Sequence, residues 1–173
     1  MFEENYIASV KTQFLQYKSL GEKAIEQVPE DKINWTYNPE SNSIVTIVKH
    51  MAGNMLSRFT EFYTSDGEKK WRNRDGEFEN ELLKKDNLLE KWNEGWNCLF
   101  NALNTLSAES LSKKVLIRNE QHTVMEAINR QLTHYSYHVG QIIFIGKMIC
   151  DSDWKSLSIP RGKSGEINTK MGL

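Results

Sequence analysis

A length of 173 residues suits one domain with a core of its own, and 22 basic against 23 acidic residues leave a net charge of −1 with no basic block to neutralise a phosphate backbone, so nucleic acid is excluded as an expected partner. No apolar run reaches the ~18 residues of a membrane span, and the opening Met-Phe-Glu-Glu-Asn lacks the charged-then-apolar order of a secretory signal. The expectation is a soluble, cytoplasmic protein with no membrane partner.

Along the chain, Ile7, Val10, Phe14, Tyr17, Ala24, Ile25 and Val28 recur at threes and fours, which predicts an amphipathic first helix over 6–28, stopped by Pro29. The polar, turn-rich run 30–42 reads as a loop, in which Trp35 and Tyr37 are large groups with something to cover, by packing or as a lid. Ser43 can cap a second helix, whose apolar face runs from Ile44 through Met51 and Phe59 to Phe62. Beside that face, His50, Asn54 and Arg58 follow at four-residue steps and share one stripe.

The stretch 64–78 is dense in charge, carries Gly67 and Gly76, and has no helical period, so it reads as a long connection. Connections of that length are often functional, which draws attention to Asp66, Arg72, Arg74 and Asp75. Leu88, Leu89, Trp92, Trp96, Leu99, Phe100 and Leu103 predict a third helix with both tryptophans in the core. Between Lys113 and Val124 the pattern changes to that of a short β-hairpin. It feeds a fourth helix, marked by Val124, Ile128, Tyr135, Val139 and Ile142. A polar tail, 151–173, follows. Its Gly162-Lys163-Ser164 is not a phosphate-binding loop, because the glycine required five residues earlier is Leu157. Four long helices joined by such connections predict an all-α fold, a four-helix bundle with a hairpin before its last helix.

The fourth helix carries His134-Tyr-Ser-Tyr-His138. Four residues is little more than one helical turn, so both imidazoles project from one face, close enough to grip one ion. A catalytic centre of the zinc type usually takes three protein ligands and leaves a position open. Of the remaining histidines, His50 lies inside the strongly helical second segment, whereas His122 lies beside a polar turn, and His50 is taken as the third ligand. On the competing reading, His50 is a hydrogen-bonded core histidine and His134 and His138 an accidental surface pair. Asn54 and Arg58 then lie one and two turns from the ion, Asn54 placed to orient a ligand or substrate and Arg58 to hold an anionic one. Cys98 and Cys150 read as small buried hydrophobes.

Taken together, His50 on the second helix and His134-x-x-x-His138-x-Gly140-Gln141 on the fourth resemble the DinB-like superfamily of metal-binding four-helix proteins, across most of the chain. The stretch from Ser57-Arg58-Phe59 through Asp66-Gly67-Glu68-Lys69 to Arg72-Asn73-Arg74-Asp75 resembles a branch of that superfamily catalogued as a domain of unknown function. The resemblance implies a single domain over 1–173, with a core of about 5–150, and a homodimer. It implies that His50, His134 and His138 coordinate one divalent ion, often zinc or nickel, and it adds Gln141 to Asn54 and Arg58 as a residue that supports the ion or binds substrate. Relatives in the superfamily include transferases and an isomerase that use low-molecular-weight thiols such as bacillithiol or mycothiol.

Three functions fit these expectations. The first is a metal-dependent thiol S-transferase or thiol-dependent isomerase acting on a small molecule. The second is a metal-dependent hydrolase using metal-bound water; it is disfavoured because no acid lies between His134 and His138, where His-Glu-x-x-His enzymes carry one. The third is a non-catalytic metal-binding or ligand-binding protein. Unperturbed imidazoles would lose the ion as pH falls below ~6.5.

Overall fold

Four long helices carry the computed structural model, which describes residues 2–79 and 81–171; positions 172–173 of the expected tail lie outside the described residues. Helix α1, Phe2–Gln27, buries Val10, Phe14, Ala24 and Ile25 and ends just ahead of Pro29, as its periodicity predicts. Helix α2, Ile44–Phe59, starts where Ser43 Oγ accepts the Thr46 N–H at 3.1 Å, a cap of the kind that stabilises a helix by ~1 kcal/mol. It is shorter than its apolar face. Phe62 still enters the core, but Thr60 is extended and Glu61 turns the chain with a φ of 50°, so the last aromatic arrives from a turn. Helix α3 is Lys85–Asn104, with Trp92 and Trp96 both in the core. Helix α4, Val124–Cys150, opens on a reciprocal cap in which Thr123 and Glu126 each accept the other's backbone N–H.

Helix α2 packs on α3, and α1 on α4. The first pair approaches closely because α3 has no side chain at Gly95, where a Cβ would fall 2.8 Å from the Ala52 Cα. Phe14 of α1, Trp96 of α3 and Tyr135 of α4 meet at the centre with ring centroids 5.9–6.2 Å apart. Such aromatic contacts contribute ~0.5–1.5 kcal/mol each beyond their buried area. They fix the rotation of α4, and with it the direction of the neighbouring His134.

The expected hairpin is present, with β1 (Lys114–Ile117) antiparallel to β2 (Glu120–Thr123). Its two turn residues, Arg118 and Asn119, have φ values of 56° and 63°, a region where side chains other than Asn, Asp and Gly are strained. The strain is countered from the connection after α2. Asp66 accepts the Arg118 N–H at 2.9 Å and the Asn119 N–H at 2.7 Å, and Gly67 donates to the Leu116 carbonyl at 2.8 Å. The aperiodic stretch 64–78 is thus stitched to the hairpin and closes with a 3-10 turn, Asp75–Phe78, lying against α2.

Trp35 and Tyr37 pack edge to face on each other, with ring centroids 6.4 Å apart. They border a shallow apolar depression with Phe144 and Met148, and Tyr37 is exposed. The start of the tail docks on the end of α1, where the Gln27 amide bonds the backbone of Lys155. A short helix, α5, follows at Ser164–Met171. No helix among the described residues is long and apolar enough to cross a membrane.

Candidate metal centre

His50, His134 and His138 converge, with one ligand atom from each lying within 4.8 Å of the others. Nε2 of His134 is 3.2 Å from Nε2 of His50 and 3.1 Å from Nε2 of His138. Nitrogens bound at ~2.0–2.1 Å to one tetrahedral ion stand about 3.3 Å apart, so the spacing is that of a ligand set. The helices account for the convergence. His134 and His138 come from one face of α4, and His50 comes from the side of α2 that Asn54 ties to α4 by accepting the Tyr135 hydroxyl at 2.8 Å.

The outer nitrogens decide which lone pairs face inward. Nδ1 of His50 is 3.0 Å from Glu77 Oε2, and a carboxylate only accepts, so the proton of His50 lies on Nδ1 and its Nε2 lone pair faces the cluster. Nδ1 of His138 is likewise 2.8 Å from Gln141 Oε1. Two lone pairs therefore point at Nε2 of His134, which carries at most one hydrogen to satisfy them. A cation satisfies all three at once, and the chain's residues fit one. Burial, followed by the neighbouring His138 and His50, pushes the His134 pKa down to about 3. Burial also takes His138 down to about 4, against the opposing effect of the hydrogen bond it donates to Gln141. Both imidazoles are therefore neutral at neutral pH, the form that binds metal.

Glu77 is the residue that the sequence reading missed. It is buried and grips Arg72 in a bidentate pair at 2.7 and 2.8 Å while accepting from His50. Burial would raise its carboxyl, but the bonds from His50 and Arg72 outweigh that and hold it below the usual range. The only signals were its place in a long charged connection and the Gly53 that faces it: a Cβ on Gly53 would collide with the Glu77 carboxylate. Arg72, singled out in the sequence without a role, anchors Glu77.

The cluster opens on a cavity of about 450 Å³. Phe78, with its ring centroid 5.0 Å from that of His50, and Tyr137, at 4.3 Å from that of His138, form its walls. Asn54 and Arg58 line it too, though each already has protein partners. Asn54 holds Tyr135, and Arg58 donates to the Gly67 carbonyl and to Glu68. Gln141 meets His138 rather than lining the cavity. His122 pairs across the hairpin with Val115 and does not belong to the cluster. Nor does either cysteine: the half-buried Cys98 lies beside Thr60, and Cys150 beside the Gln27 carbonyl.

A family model described as Protein of unknown function (DUF1572) matches residues 1–163. No curated protein matches the chain.

Proposed function

The chain belongs to the DUF1572 family, and we propose that it is a metal-dependent enzyme in which His50, His134 and His138 hold one divalent ion, zinc or nickel, for thiol S-transfer or thiol-dependent isomerisation of a small molecule. The observation that carries the reading is the convergence of three imidazole nitrogens on an open cavity with no carboxylate among its lining residues. Three neutral imidazoles leave a divalent ion most of its charge, so that it acidifies a thiol or water joining it.

The surrounding side chains favour the thiol. A thiol needs little help to lose its proton (pKa ~8.5), whereas water relies more on a neighbouring acceptor. Glu77 is engaged by His50 and Arg72, and the Tyr135 hydroxyl is given to Asn54. Burial raises the Tyr137 phenol above its ordinary value. These groups position and exclude; they do not accept protons at neutral pH. A purely structural ion is the weaker reading, because such sites are usually closed by four ligands and neither cysteine reaches this one.

The four-helix fold, the hairpin and this histidine set also support grouping the family with the DinB-like superfamily. A homodimer belongs to the same reading and is tested by light scattering. The enzyme reading is tested by elemental analysis of tag-free protein, followed by an assay of the metal-loaded protein on an electrophilic small molecule with and without a low-molecular-weight thiol. About one ion per chain and turnover only with thiol are expected. Turnover without thiol makes it a hydrolase, and failure to hold metal at neutral pH ends the enzyme reading.

A further inference from the structure

Five arginines line the cavity above the three histidines, namely Arg58, Arg72, Arg74, Arg118 and Arg130. They divide into two kinds. Arg58 and Arg72 lie at the base, with side chains 5% and 2% exposed, and are paired with Glu68 and Glu77. Arg74, Arg118 and Arg130 are exposed at the mouth. Of these, Arg118 reaches Glu68 at 3.0 Å while remaining half exposed. Arg74 and Arg130 have no carboxylate partner among the described residues.

Such a concentration of like charge is unfavourable unless something balances it. Glu68 and Glu77, which the arginines contact, are outnumbered, and no acidic side chain lines the cavity. At the buried base, Arg58 Nε is also without a hydrogen-bond partner. The position of Arg118 is a second, independent sign. It sits at the hairpin tip in a left-handed conformation that costs energy for a residue carrying a Cβ, and Asp66 holds the turn there through hydrogen bonds from the backbone of Arg118 and Asn119. A glycine would serve the turn better; an arginine there brings a guanidinium to the cavity.

We propose that this cavity binds a small molecule through an oxyanion, phosphoryl or carboxylate, held by Arg74, Arg118 and Arg130 at its mouth. Guanidinium groups match both oxyanions by parallel N–H···O pairs. The assignment rests on the metal-centre reading for its meaning, because it names the substrate class of that site: an anionic head at the mouth, with the reacting atom directed toward the histidines. Arg58, the residue expected from the sequence to take the anion, lines the same cavity at its base and also holds Gly67 and Glu68 in place.

The test uses the full chain freed of metal by chelation, so that the arginines are read apart from any ion. Thermal shift and calorimetric titration are run with inorganic phosphate, and separately with succinate, at an ionic strength fixed by chloride. The same titrations are made on Arg74→Gln/Arg130→Gln and on Arg161→Gln, which changes an arginine of the tail. Saturable stabilisation by either oxyanion is expected, weakened tenfold or more in the double variant and unchanged in Arg161→Gln. The stronger of the two names the group. Equal responses in the wild type and double variant, or none beyond chloride, overturn the proposal. Metal content of every variant is measured in parallel: oxyanion binding without metal uptake sinks the metal reading alone, and metal uptake without oxyanion binding sinks this one alone.

Discussion

Glu77 Oε2 lies 3.0 Å from His50 Nδ1, joining the least periodic stretch of the chain to the most regular part of the bundle. The contact sets the His50 tautomer and turns its Nε2 toward His134. Partners of this kind are worth ~10–100-fold in metal affinity. Glu77→Gln is therefore expected to weaken metal binding by about that factor, read by competition with a chromophoric chelator. Gly53→Ala should do the same without touching any ligand, because its methyl group would occupy the space of the Glu77 carboxylate. Unchanged affinity in both variants would reduce Glu77 to a partner of Arg72.

The two candidates for third histidine make a second comparison. His50 faces His134 across 3.2 Å, whereas His122 stands on β2 opposite Val115, with Nε2 3.9 Å from the exposed Glu120. His134→Ala and His50→Ala are each expected to bring metal content from about one ion per chain to near zero. His122→Ala should leave it intact. Loss of metal in His122→Ala would mean that the hairpin folds differently around the ion.

Acid should act on the metal-free protein through the same histidines. Burial and then its histidine neighbours lower His134 to about 3, and burial lowers His138 to about 4, whereas in the unfolded chain both titrate near ~6.5. Below that value the unfolded state binds protons that the folded state refuses, so stability is full above pH ~6.5 and is lost as pH falls toward 4 and 3. The melting temperature of the chelated protein is expected to decline over that window, and His134→Ala to flatten part of the decline. An identical slope in the variant would remove His134 as the cause.

What was legible in the sequence was what repeats. The helices follow from period, the hairpin from a short β-type run, and the facing of His134 and His138 from a four-residue step. Glu77 was illegible because its role is a tertiary contact made by an irregular segment, where spacing carries no directional information. The partners of Arg58 were hidden for a related reason. Its place on the His50 stripe was apparent, but Gly67 and Glu68, which occupy it, arrive from a loop. The Arg118-Asn119 turn had no glycine to announce it, since its stability comes from Asp66, 52 and 53 residues away.

That turn permits a prediction with an internal rescue. Burial would raise the Asp66 carboxyl, but hydrogen bonds from the backbone of Asn119, Glu68 and Arg118 hold it below its ordinary value. Asp66→Ala removes all three and leaves two left-handed residues unsupported, a loss of about 1–3 kcal/mol, read from urea midpoints. In the wild type, the part of stability that Asp66 supplies is present above ~3.9 and disappears as pH falls through its lowered folded value. Glycine accepts a positive φ at no steric cost. Asp66→Ala/Asn119→Gly should therefore recover part of the loss, because backbone strain is one of its two sources. No recovery at all would place the whole effect in the missing hydrogen bonds and remove strain from the account of how Arg118 is held at the cavity.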